Sequence, residues 1–155
     1  MLRIIQGERV GKQGTLRCGC SAVIFDPQRE KILMTRRSDN GRWCLPGGGM
    51  DAGENAEETC VRELWEETGL KVLVSRLVGI YTSPDFLIEY ADGNRVQIVA
   101  MHFEAEVTDG ELRLSDETTD AGYFTPTEIA TMDVIETHRQ RITDSLNFRE
   151  TAYFR

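Results

Sequence analysis

Apolar positions in this chain fall into two rhythms, one that fits strands and one that fits helices. Thr15 to Phe25 is a run of small and β-branched residues and predicts a buried strand. Lys31 to Arg37 predicts a second strand, and the turn-forming stretch Asp26–Glu30 between them predicts a hairpin. Residues 1–14 are mixed and predict an irregular or edge element. From Asn55 the spacing lengthens to a helical one. Cys60, Val61, Leu64, Trp65 and Thr68 then share one broad face, and Glu63, Glu66 and Glu67 share the face beside it. Asn55 followed by Glu58 fits a capping box, and Gly69 stands where a left-handed helix end is expected.

Leu70 to Thr82 returns to a β-branched run and predicts a long strand. Phe86–Tyr90 and Arg95–Val107 flank Ala91-Asp92-Gly93-Asn94, which predicts a hairpin. Tyr123-Phe124 is read as the end of a further strand. A short helix is expected to start after Pro126, and a C-terminal helix to run over Val134–Leu146. Strands and helices in this order predict a mixed α+β domain. The 155 residues are expected to form one domain, with a core over about 15–147.

Composition changes this picture little. Hydrophobic residues at 40% and charged residues at 28% suit a soluble domain. No apolar run reaches the roughly 20 residues of a membrane span, and no secretory leader is visible, so a cytoplasmic protein without a membrane partner is expected. The net charge of −8 argues against a nucleic-acid polymer as partner, because backbone binding calls for a basic patch. Cys18 and Cys20 lack the second ligand pair of a zinc site and stand too far apart on a strand for an unstrained disulfide. The four cysteines are read as reduced, small apolar residues.

The chemistry concentrates between Gly48 and Leu70. Glu63 and Glu67 are like charges four residues apart, a pairing that costs a helix roughly 0.2–0.5 kcal/mol, and Glu66 adds to the repulsion. A solvated helix face has no need of such a trio, whereas a hard divalent cation takes several carboxylate oxygens from one rigid face. Pro46 and the glycines Gly47, Gly48 and Gly49 precede the helix, and glycine lets the backbone approach a ligand closely.

This stretch places Gly48, Glu54, Arg62-Glu63-Leu64, Glu66-Glu67 and Gly69-Leu70 at fixed offsets, nine specified positions in 23. It resembles the signature of the Nudix hydrolases. The resemblance implies an α/β/α sandwich around a mixed β-sheet. It implies hydrolysis of a pyrophosphate bond in a nucleoside diphosphate linked to another group, assisted by magnesium, with manganese as the alternative metal. The matching residues imply metal binding by Glu63, Glu66, Glu67 and the carbonyl of Gly47, and loop–helix support by Arg62 and Glu54. Glu117, in the polar loop Ser115–Asp120, is chosen as a late acidic participant. Glu66 and Glu67 rank above it as the proton acceptor.

Arg36, Arg37 and Trp43 flank the glycine-rich loop and are candidates to hold phosphate or stack on a base, with core packing an equal reading for Trp43. Gly48 and Phe86 complete the candidate substrate contacts. Pro84 lies near the place where the family carries a proline in its ADP-ribose hydrolases. His102 is read as structural. Two other outcomes stay open: a nucleotide-sensing module of the same fold without catalysis, and an isoprenyl diphosphate isomerase using Cys44 or Cys60. A homodimer is a frequent assembly in the family.

Overall fold

The structure is a computed structural model that describes residues 2–155. In chain order its strands and helices are β1 (Arg3–Gln6), β2 (Thr15–Val23), β3 (Ile32–Arg37), β4 (Trp43–Cys44), β5 (Gly47–Gly49), α1 (Ala56–Thr68), β6 (Leu70–Tyr81), β7 (Phe86–Glu89), β8 (Arg95–Gly110), β9 (Thr118–Phe124), α2 (Pro126–Thr131), α3 (Glu136–Leu146) and β10 (Tyr153–Phe154). A 3₁₀ turn at Val10–Gln13 follows β1, the edge strand.

The large mixed sheet runs β1-β7-β8-β2-β5, with β6 pairing both β8 and β10. Its spine is the parallel pair β2–β8, in which Gly19 faces Ala100 and Ser21 faces His102. A small sheet, β4-β3-β9, lies apart from it. The expected hairpin therefore forms only at its turn end, where the Asp26 amide donates to the Lys31 carbonyl and the Leu33 amide to the Ile24 carbonyl; beyond it β2 and β3 part into different sheets. Only Phe25 and Ile32 bridge antiparallel, and β3 then pairs Met34 with Gly122 of β9. The turn itself holds, but pairing with a segment some ninety residues away draws β3 off β2 beyond it, and β3 buries four consecutive residues, Ile32–Thr35, between two layers. β3 could not do this in a flat hairpin.

Period-two alternation sorts β2 between the two cores. Cys20 and Ala22 face α1, in a cluster with Cys60, Leu64, Leu70 and Val72. Val23 contributes to the opposite cluster, with Ile32, Met34, Leu45, Ile129, Val134 and Ile142. Helices thus cover both faces of the sheet, as the α/β/α expectation has it. The apolar face of α1 is narrower than its wheel suggests: Val61 and Trp65 are exposed, and Trp65 lies against the cations of Lys71 and Arg113. α3 starts at Glu136, with Ile135 as its N-cap and Val134 buried ahead of it. Among the described residues no helix is long and apolar enough to cross a membrane.

Candidate functional site

α1 begins and ends where its own chemistry dictates. The Asn55 side chain accepts from the Glu58 amide while the Glu58 carboxylate accepts from the Asn55 amide, and Gly69 closes the helix at φ 71°. Burial of Leu64 and Cys60 fixes the rotation of the helix. That rotation leaves Glu63, Glu66 and Glu67 at the rim of a cleft of about 560 Å³, facing the glycine loop.

β5 is stitched to β2 by the pairs Ser21–Gly47, Cys20–Gly48 and Gly19–Gly49. Glycine is required at two of these positions for different reasons. At Gly47, with φ 153°, a Cβ would stand 2.1 Å from the Cys20 carbonyl oxygen. At Gly48 a Cβ would stand 2.3 Å from the Glu63 carboxyl carbon, so the missing side chain is the space this carboxylate occupies.

Arg62 does not line the cleft but holds its wall together. It forks onto Glu54, donates to the Gly49 carbonyl at 3.0 Å, and reaches Glu63 at 2.9 Å and Glu66 at 3.2 Å. Glu54 also accepts from the Asp51 amide and the Thr59 hydroxyl, and Arg62 foremost draws its pKa down to about 2. Glu67 is buried and accepts from the Gly47 amide at 3.1 Å. Desolvation foremost, with repulsion from Glu63 and Glu117, pushes it up to about 8. Desolvation also raises Glu63. Glu117 lies on an exposed loop whose carbonyl accepts from the Ser38 amide, and it faces the same cleft.

Of the residues selected from the sequence, Gly47, Gly48, Arg37, Glu63, Glu66, Glu67, Phe86 and Glu117 meet around this one cleft. Arg37 is clamped by Asp39 through two bonds of 2.9 and 2.7 Å. Arg36 and Trp43 do not line the cleft. Arg36 is exposed and donates to the Gly41 carbonyl, and Trp43 packs edge-on against Phe124 in the core. Alternation along β3 and β4 explains both, since Arg36 pairs with Trp43 and neighbouring positions face the other way. Pro84 offers its carbonyl to the Gly11 amide, outside the cleft.

Cys44 and Cys60 are poor nucleophiles here: Cys60 is fully buried and burial pushes its thiol up to about 12, while burial likewise raises Cys44. All four are free. Arg17 and Arg141 also line the cleft. Arg17 was open to sequence reasoning, since period two puts it on the Gly19–Ser21 side of β2; Arg141 gave no signal in an otherwise polar helix.

The donor set fits a hard divalent cation. It comprises carboxylates on one rigid face, and two of them are held above the usual range by burial and mutual repulsion. Among the described residues no three metal-ligating side chains already converge. Arg62 occupies Glu63 and Glu66, and the Gly47 amide occupies Glu67. A cation therefore competes with Arg62 for the first two carboxylates.

The NUDIX domain pattern matches residues 15–145. The chain is 35% identical over 117 residues to a MutT-like protein of Streptomyces ambofaciens, covering 76% of this chain and 69% of that one. It is 39% identical over 97 residues to an ADP-ribose pyrophosphatase of Methanocaldococcus jannaschii, covering 61% of this chain and 54% of that one. The chain thus spans about half the length of this second relative. A solved NUDIX hydrolase from Nitrosomonas europaea superposes with a TM-score of 0.69 at 25% identity, over 86% of this chain and 90% of that one.

Proposed function

The chain belongs to the Nudix hydrolase family, and from that premise we propose that it hydrolyses a pyrophosphate bond in a nucleoside diphosphate linked to a further group. The observation that carries this reading is the meeting of Glu63, Glu66, Glu67 and Glu117 with the glycine loop at one cleft. Glu63, Glu66, Glu67 and the Gly47 carbonyl would hold magnesium, with manganese as the alternative. When bound, the metal supplies neutralisation of phosphate charge and a lowered pKa for water.

The protein's own contribution is geometry and proton transfer. Gly48 leaves room for the Glu63 carboxylate, and Arg62 ties the helix to the loop so that the carboxylates keep their spacing. Water attacking phosphorus gives up a proton to a carboxylate, and a group poised near neutral pH serves best. Glu67, buried and held by the Gly47 amide, is fixed for that role better than Glu66, which is exposed. Arg37, fixed by Asp39, stands where it can meet a phosphate oxygen. The apolar wall formed by Phe86, Ile88 and Ile98 suits the face of a base. ADP-ribose-like compounds and nucleoside triphosphates are the leading substrates, with the likeness to the Methanocaldococcus jannaschii ADP-ribose pyrophosphatase supporting the former.

Phosphate and nucleoside monophosphate release should be measured across nucleoside triphosphates, ADP-ribose, NADH, dinucleoside polyphosphates and nucleotide sugars, with magnesium or chelator. One strong magnesium-dependent activity is expected. Silence across the panel with nucleotide binding retained would replace this reading with that of a nucleotide sensor.

A further inference from the structure

Arg141 is 7% exposed, lines the cleft, and has no carboxylate partner among the described residues. A buried guanidinium without a counter-charge is costly, and folded proteins pair such groups or place them for a ligand. The acidic residue one helical turn on, Asp144, is taken by the Tyr81 hydroxyl at 2.7 Å and by Arg155 at 2.8 Å. Two other arginines that line the cleft, Arg37 and Arg155, are paired with Asp39 and Asp144. Arg17 is exposed at the rim.

A closed circuit of buried hydrogen bonds positions Arg141 instead. Ser145 donates its one hydroxyl proton to the Arg141 carbonyl at 2.8 Å, so it must accept from His102 Nε2 at 2.8 Å. His102 Nδ1 then lacks a proton and accepts from the Ser21 hydroxyl at 2.8 Å. The Ser21 oxygen in turn accepts from Arg141 Nη1 at 3.2 Å. Burial holds His102 well below its usual range, which keeps this arrangement neutral. Burial brings Arg141 down only to about 10, so it stays cationic at neutral pH. The circuit uses a single guanidinium donor, and Nε has no acceptor among the described residues. The Tyr81 ring covers the group at 5.5 Å.

The anchor also fixes the location. Ser21 pairs across the sheet with Gly47, the residue whose amide holds Glu67. Arg141 and the carboxylate cluster thus flank the same glycine. We propose that Arg141 is a substrate-binding residue, an anion receptor on the cleft floor that takes a phosphoryl oxygen of the nucleotide beside the carboxylate cluster. The inference rests on the reading of the cleft as a nucleotide site, but not on hydrolysis. Guanidinium suits the task because several donors remain on one rigid plane.

The test is binding without metal. AMP and adenosine are titrated calorimetrically, in chelator, into the wild-type protein, Arg141→Gln and Arg141→Lys, with melting temperatures recorded alongside. Wild type should bind AMP more tightly than adenosine. Arg141→Gln should weaken AMP by about ten- to hundredfold, the scale of a lost charged hydrogen bond, and leave adenosine within about twofold. Arg141→Lys keeps the charge without the planar fork, so it should fold and lose AMP affinity to a smaller degree. Equal loss of AMP and adenosine would make Arg141 a purely structural residue and overturn the proposal, as would unchanged AMP binding in Arg141→Gln or no AMP preference in wild type. Failure of the magnesium panel with this AMP result intact would sink the hydrolase reading alone.

Discussion

Glu67 holds a carboxylate in a place that disfavours its charge, and that conflict is measurable. Folding raises its pKa from the ordinary 4.5 to about 8, with desolvation the leading cause. Between those values the folded protein binds more protons than the unfolded chain, so stability falls as pH climbs from about 4.5 to about 8. Glu67→Gln removes the titration. In chelator the variant should therefore melt above wild type at pH 8, with the gap narrowing toward pH 5. A gap independent of pH would show that Glu67 is not burdened by its own charge. In magnesium the same substitution should lower the hydrolysis rate at least about a hundredfold, within the range removed with a general base. Glu63, Glu66 and Glu67 were legible in the sequence because their spacing is a helix rule. The displacement of Arg36 and Trp43 was not, because it follows from a strand pairing, Arg36 with Trp43, that no local pattern specifies.

The elements show why some boundaries could be read and others could not. α1 carries its start and stop in its own residues, a capping box at Asn55 and a left-handed glycine at 69, so it was read to the residue. β2 and β3 carry only an apolar pattern, and their partners, β8 and β9, lie far along the chain. The turn at Asp26–Glu30 predicts a hairpin that the layers then pull apart. The loop between β4 and α1 separates two roles of glycine that look alike in sequence. At Gly48 the obstacle to a Cβ is the end of a flexible side chain, so Gly48→Ala should cost little stability while pushing Glu63 aside. Magnesium affinity should fall while the melting temperature moves by only a few degrees. At Gly47 the obstacle is the Cys20 backbone, which cannot swing away, and the φ of 153° is already unfavourable. Gly47→Ala should lower stability by several kcal/mol, of order the larger single-substitution effects, as read by urea denaturation. Equal melting temperatures for the two variants would mean that β5 is not held against β2 as described.

Across the whole molecule α3 is tied to the large sheet by polar contacts that no single segment announces. α3 was expected from its periodicity, yet its buried Arg141, Asp144 and Ser145 look like ordinary surface residues of a polar helix. Their partners come from β2, β6 and β8, some forty to a hundred and twenty residues earlier, and so were invisible until the chain closed on itself. Tyr81 at the end of β6 and Asp144 on α3 form the most testable of these ties. Both are buried, and the Tyr81 hydroxyl donates to the Asp144 carboxylate at 2.7 Å. Tyr81→Phe removes the donor and leaves the carboxylate to Arg155. Asp144→Ala removes the acceptor and strands a buried hydroxyl. Each should cost about 1–3 kcal/mol, the scale of a broken hydrogen bond with a buried group left behind. The double variant removes both ends and leaves neither stranded, so it should cost less than the sum of the two. Urea denaturation of the four proteins measures the difference. Strict additivity would mean that the bond between Tyr81 and Asp144 carries no energy of its own.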